Sequence, residues 1–138
     1  MEVATFLEAF DCWARAQRDI VGAALVGSHA RDTANEDSDV DLIILTSEVD
    51  KYSQDQLWIS QFGAVQRCET ENWGRVKTLR VFYKDGTEVE YSFSTRDWAT
   101  VPADAGTYHV VADGMKIIHD PQRILKVLQE TLSLRQTL

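Results

Sequence analysis

The sequence predicts an α+β fold, one mixed or antiparallel sheet with helices packed mainly on one face. The elements come in the order helix, strands, helix, then three strands, which is not the regular alternation of βαβ units. Two short runs, Ile20–Val26 and residues 40–45, are apolar almost throughout, as strands covered on both faces are. Three later segments rich in β-branched and aromatic residues are separated by turn signals, of which Asp85-Gly86 is the strongest. At 138 residues the chain suits one domain with one core, residues 1–138. With 44% apolar and 26% charged residues it has the composition of an ordinary globular protein, not of a disordered or fibrous one.

Val3, Phe6, Leu7, Phe10, Trp13 and Ala14 recur at helical spacing, so residues 3–18 read as an amphipathic helix whose aromatics belong to the core. The first strand follows and ends at Gly27-Ser28. After the second strand, Asp50 or Ser53 is placed to cap a helix running to Gln61, with Leu57 and Trp58 facing inward and Gly63 ending it. Residues 64–71, 75–83 and 87–94 read as strands, with Asn72-Trp73-Gly74 and Asp85-Gly86 between them. In the third, Glu88, Glu90 and Ser92 share one face and Val89, Tyr91 and Phe93 the other. Residues 98–102 read as irregular. Residues 110–119 hold two short apolar pieces around Asp113-Gly114, either an edge hairpin or a helix end followed by a strand. A last helix is expected with Asp120 as cap, Pro121 at its first position, and Ile124, Leu125, Leu128 and Leu132 on its buried face.

The chemistry concentrates between Val26 and Leu45. Gly27 lets the chain turn where a Cβ would clash and lets a ligand approach the main chain. Alternation along the next strand puts Asp39, Asp41 and Ile43 on one face and Val40, Leu42 and Ile44 on the other. Two carboxylates side by side at the mouth of an apolar strand repel, and one tends to keep a proton. A divalent cation removes that conflict, because hard Mg²⁺ favours carboxylate and phosphate oxygens. The glycine-serine turn is suited to hold phosphates whose charge such a cation shares.

Val26-Gly27-Ser28, a ten-residue gap and Asp39-Val40-Asp41-Leu42 resemble the signature of the DNA polymerase β-like nucleotidyltransferase superfamily. Gly27-Ser28-His29-Ala30-Arg31, followed by Asp37-Ser38-Asp39-Val40-Asp41-Leu42, is most similar to its small bacterial members, the aminoglycoside/streptomycin-type and the minimal nucleotidyltransferases. The segment 113–121 resembles one that follows the catalytic core in aminoglycoside-type enzymes. The resemblance implies transfer of a nucleoside monophosphate from a nucleoside triphosphate, ATP in the first instance, with release of pyrophosphate. It implies that Asp39, Asp41 and a third acid hold Mg²⁺ or Mn²⁺ and form the catalytic set. Glu90 is the best match for that acid, with Glu88 two residues earlier on the same face as the alternative. It further implies that Gly27 and Ser28 bind the β- and γ-phosphates. Arg31 has two readings, a phosphate contact or pairing with Asp32, Glu36 or Asp37. His29 and His119 read as structural.

The acceptor stays open at this point. A small hydroxylated, antibiotic-like molecule is one expectation. A minimal nucleotidyltransferase acting as an antitoxin, which binds or nucleotidylates a partner protein through a patch containing Trp58 or Trp73, is another, and a catalytically weak nucleotide-binding module is a third. Antibiotic-modifying members usually add a helical acceptor domain, so a homodimer supplying the missing wall is also expected. With 22 acids against 14 bases and a formal net charge of −8, no basic patch stands out, which argues against a nucleic acid polymer as partner. Cys12 and Cys68 match no disulfide framework or zinc spacing and read as buried free thiols. No apolar run reaches the ~18 residues of a membrane span and no signal peptide is evident, so the expected location is cytoplasmic.

Overall fold

The computed structural model describes residues 1–35, 38–100 and 103–136. The elements run α1 (Val3–Ala16), β1 (Ile20–Val26), β2 (Val40–Thr46), α2 (Val49–Gln54), a 3₁₀ turn (Leu57–Gln61), β3 (Val65–Trp73), β4 (Val76–Tyr83), β5 (Glu88–Ser94), a second 3₁₀ turn (Arg96–Ala99), α3 (Ala105–Asp113), β6 (Met115–His119) and α4 (Ile124–Gln136). The strands form one six-stranded sheet in the order β3-β4-β5-β2-β1-β6. β2 and β5 pair in parallel and every other neighbouring pair is antiparallel, so the sheet is mixed and the class α+β, as the sequence predicts.

The helices, expected mainly on one face, divide between both. Phe6, Phe10, Trp13 and Ala14 of α1, Tyr52 of α2 and Trp58 of the first 3₁₀ turn cover Leu42, Ile44, Tyr91 and Phe93. On the other face Leu125, Leu128 and Leu132 of α4, with Trp98 and Val111, cover Ala24, Ile43 and Leu45. The cause lies in β2, where Ile43-Ile44-Leu45 is apolar on both faces, so each face needs its own cover. The acids Asp41 and Glu90 lie on the second face, just beyond the apolar cover.

Most strand limits fall within two residues of those expected. The helix expected up to Gln61 is broken at Asp55-Gln56, and the 3₁₀ geometry that follows turns Leu57 outward to 80% exposure while Trp58 stays buried against Trp13 at 4.6 Å. Neither proposed cap forms: Asp50 pairs with Lys77 and Ser53 donates to the Asp50 carbonyl. Residues 110–119 adopt the helix-then-strand alternative, with α3 capped by Asp104, whose side chain accepts from the Thr107 N–H. Asp120 accepts from the N–H groups of Leu125 and Lys126, so it caps α4 from four residues upstream, and Pro121 sits in the turn between. The two cysteines are free but not buried, since Cys12 lies on the outer flank of α1 and Cys68 on the edge strand β3. Pro102, Glu36 and Asp37 lie outside the described residues. Among the described residues no helix is long and apolar enough to cross a membrane.

One polar knot ties α2 to the start of the sheet. Asp19 accepts hydrogen bonds from Thr46 Oγ1 at 2.6 Å, Tyr52 OH at 2.7 Å and Lys51 Nζ at 3.0 Å. Burial pushes the Asp19 carboxyl up, but the bonds from Thr46, Tyr52 and Lys51 outweigh it and hold the group below the usual range. Asp19→Asn is therefore expected to lower unfolding stability at neutral pH by about 1–3 kcal/mol, the usual cost of breaking a hydrogen bond to a charged group. A depressed carboxyl stabilises above its unfolded pKa of about 4 and loses that contribution as pH falls, so the gap to wild type should close in acid. Urea unfolding at pH 7 and pH 3 measures both; an equal gap at the two pH values contradicts this reading.

Candidate functional site

The site begins at the end of β1. Gly27 has φ +74°, and a Cβ there would lie 2.2 Å from Asp41 Oδ2. Only glycine permits both the left-handed turn and so close an approach of the carboxylate. The Gly27 carbonyl accepts from the N–H groups of Ala30 and Arg31, and the Ser28 carbonyl from that of Thr33, so residues 27–33 wind back as a compact turn. Among the described residues the N–H groups of Ser28 and His29 donate to no protein acceptor. Such consecutive free N–H groups at a turn are what an anion requires. His29 Nε2 lies 3.4 Å from the Ser38 carbonyl, and Lys116 pairs with Asp32 at 2.6 Å, so both help to hold the loop between β1 and β2.

The acids come from two strands. β2 and β5 are paired in parallel with Asp41 directly opposite Glu90. Asp39 and Glu88 each precede these by two residues and therefore share their face. Oxygens of Asp39, Asp41 and Glu90 all lie within 4.8 Å of one another, and all three residues are half-buried. Glu88 instead shares a hydrogen bond with Asp39, one step outside that trio.

The electrostatics reflect the crowding. Burial, a hydrogen bond with Glu90, and the charges of Glu90, Asp39 and Glu88 push Asp41 up to about 8. Burial and the bond with Asp39 push Glu88 up to about 7, against the opposing charge of Arg80. Arg80, on β4, is the counter-ion: its Nη2 lies 2.7 Å from Glu90 Oε1 and its Nε 3.2 Å from Glu71 Oε1. The donor set fits a hard divalent cation, because three carboxylates offer three oxygens at one point and a cation there offsets the neighbouring charges that push Asp41 toward its protonated form.

Asp41 and Glu90 of the trio open into a cavity of about 280 Å³ that Gly27 and Arg31 also line, with Trp98 and Val110 as its apolar wall. Arg31 is exposed there and has no acidic partner among the described residues, since Asp32 is taken by Lys116. Past Glu90 this cavity adjoins another of about 520 Å³, which runs over Ser92 and Thr78 toward Trp73. A larger hollow of about 860 Å³ between β6 and α4 contains none of the acids, so volume alone does not locate the site.

A family profile described as "Nucleotidyltransferase domain" matches residues 9–92, more than half of the chain. The chain belongs to that family. The matched stretch contains the glycine-serine turn, the loop, all four acids and Arg80 of this nucleotidyltransferase. A search of curated proteins finds no match to its sequence. Among solved structures it is similar to an aminoglycoside 6-adenyltransferase from Bacillus subtilis, at a TM-score of 0.52 and 15% identity. That match covers 68% of this chain and 36% of the other, so the nucleotidyltransferase spans about a third of its length. The likeness is one of fold.

Of the six residues singled out in the sequence, Asp39, Asp41 and Glu90 converge, Gly27 and Arg31 line the same cavity as Asp41 and Glu90, and Ser28 follows Gly27 in the turn. Arg80 and the walls Val76, Trp98 and Val110 were not anticipated. Arg80 sits in a strand pattern where a single cation reads as a solvated residue, and only its register opposite Glu90 distinguishes it.

Proposed function

We propose that residues 1–138 act as one metal-dependent nucleotidyltransferase domain that moves a nucleoside monophosphate, from ATP in the first instance, to a hydroxyl of a small acceptor. The observation that carries this reading is the convergence of Asp39, Asp41 and Glu90 beside a glycine-serine turn with free N–H groups. Asp39, Asp41 and Glu90 would hold Mg²⁺ or Mn²⁺. When bound, the cation supplies positive charge against the triphosphate oxygens and lowers the pKa of the attacking hydroxyl.

The chain's own groups do the rest. At the turn that Gly27 makes, Ser28 and its neighbour His29 receive the β- and γ-phosphates on main-chain N–H groups, and the Ser28 hydroxyl adds a further donor. Arg31 offsets phosphate charge from the side of the cavity. The acceptor oxygen attacks the α-phosphorus in line, the bond to the bridging oxygen breaks, and pyrophosphate leaves toward Gly27 and Arg31. Glu90 takes the hydroxyl proton. In-line geometry then brings the acceptor in from the opposite side, over Ser92 and Thr78, where the 520 Å³ cavity lies.

For the acceptor we favour a small, hydroxylated, cationic molecule of antibiotic type. Asp41 and Glu90 line the cavity and Asp39 and Glu88 lie beside them, and the field of these acids attracts positive charge. The shared fold with an aminoglycoside 6-adenyltransferase points the same way. Of the two tryptophans that a protein-binding patch was expected to use, Trp58 is buried and Trp73 is 64% exposed.

Titration calorimetry with ATP, GTP, CTP and UTP, with and without Mg²⁺ or Mn²⁺, tests the reading. The expected result is metal-dependent binding of at least one triphosphate at or below millimolar concentration. If none binds, the chain is not a working transferase. Incubation with labelled ATP then separates acceptors: label on aminoglycosides supports the small molecule, and label on a co-purifying protein overturns it.

A further inference from the structure

A straight row of charged side chains crosses the sheet beneath the cavity. Asp41 on β2 is directly opposite Glu90 on β5, and Glu90 is directly opposite Arg80 on β4. On the far side of Arg80 the row turns: Glu69 of β3 is directly opposite Arg80, but it is Glu71, two residues further along and diagonal to it, whose Oε1 lies 3.2 Å from Arg80 Nε. Glu90 is thus held from both sides, by the hydrogen bond shared with Asp41 and by the 2.7 Å ion pair with Arg80. Arg80 is itself confined. Its Nε is buried and has no hydrogen-bond partner among the described residues, although Glu71 Oε1 is 3.2 Å away in poor alignment. A buried donor left unsatisfied costs free energy, and its presence means that the guanidinium is oriented by the pull on Nη2 and not by its own best bonding.

We propose that Arg80 is a positioning residue for the third carboxylate. Its guanidinium engages one oxygen of Glu90 and fixes the rotamer of that side chain, so that the other oxygen is presented to the point where Asp39 and Asp41 converge. Glutamate has one more rotatable bond than aspartate, so a third acid of this length needs a lateral restraint to be as well placed as the two aspartates. Arginine suits the task because its planar fork fixes direction as well as charge, which a lysine ammonium does not. Glu71 on the outer side keeps the guanidinium from swinging into solvent. This role rests on the metal site proposed above.

The test is Mn²⁺ titration followed by electron paramagnetic resonance, on the full chain with a non-hydrolysable ATP analogue present. Arg80→Gln is expected to weaken Mn²⁺ binding by roughly 10- to 100-fold, the range for partners that orient a metal ligand. Arg80→Lys keeps the charge without the fork and should recover only part of that loss. Arg80→Gln combined with Glu90→Gln should bind no worse than Glu90→Gln alone, because Arg80 acts through Glu90. Unchanged or tighter binding in Arg80→Gln overturns the proposal, since a cation that merely competed with the metal would give that result. Additive losses in the double variant overturn it as well. Should Arg80→Gln fail to fold, Arg80→Lys decides: weakening of threefold or more supports the role, and unchanged binding refutes it. Wild-type protein that binds no Mn²⁺ with the analogue present defeats the metal site itself, and the role of Arg80 with it.

Discussion

Asp41→Asn should remove metal-dependent nucleotidyl transfer while leaving the metal-free fold intact. The loss is expected to reach at least about a hundredfold, the upper end of what removing a mere supporting partner of a metal site costs. The fold survives because Asp41 is pushed up to about 8 by its buried, acid-rich surroundings, so at pH 7 the metal-free protein already holds this carboxyl protonated. An amide of the same shape replaces that form closely. The sign with pH follows. A carboxyl whose folded pKa is raised contributes stability below its unfolded value, near 4, and loses it as pH climbs toward 8. Thermal unfolding without metal should therefore show wild type losing stability between pH 5 and 8 more steeply than Asp41→Asn. Metal binding runs the other way: a proton must leave before the cation enters, so Mn²⁺ affinity should rise with pH up to about 8. A variant that unfolds at pH 7 or that transfers at the wild-type rate contradicts the assignment of Asp41.

Gly27→Ala should be nearly as damaging, and for steric reasons. The added Cβ would meet Asp41 Oδ2 at 2.2 Å and Asp41 Cγ at 3.1 Å, distances that force the carboxylate away from Asp39 and Glu90. Alanine at φ +74° adds about 1–2 kcal/mol of backbone strain before any clash is counted. Lower thermal stability and a fall in Mn²⁺ affinity are both expected. Shortening the opposing side chain gives the diagnostic control: with Asp41→Ser in place, Gly27→Ala should cost less stability than it does alone, because the clash has gone. Additive effects of the two changes would mean that the Gly27–Asp41 contact is not what makes the glycine necessary.

The sequence by itself determined what depends on neighbours along the chain. Alternation put Asp39 and Asp41 on one face of a strand, helical spacing marked α1 and the buried side of α4, and Asp85-Gly86 marked the hairpin that carries Glu88 and Glu90. These are local periodicities and turn preferences, readable without knowing what packs on what. Cys12, Leu57 and the caps of α2 went otherwise because their exposure depends on how far a helix extends and which way it is rotated. Tertiary structure alone decided the rest. Either glutamate satisfied the alternation of β5, and the parallel register with β2 brought Glu90 into the trio and left Glu88 bonded to Asp39. That register joins strands more than forty residues apart, so no short stretch of sequence encodes it. Arg80 became the partner of Glu90 in the same way, through the pairing of β4 with β5, and the second helical layer came from the two-sided apolar demand of β2. Side-chain period is a property of one strand, whereas the meeting of charges from β2, β4 and β5 is set by the pairing of all three.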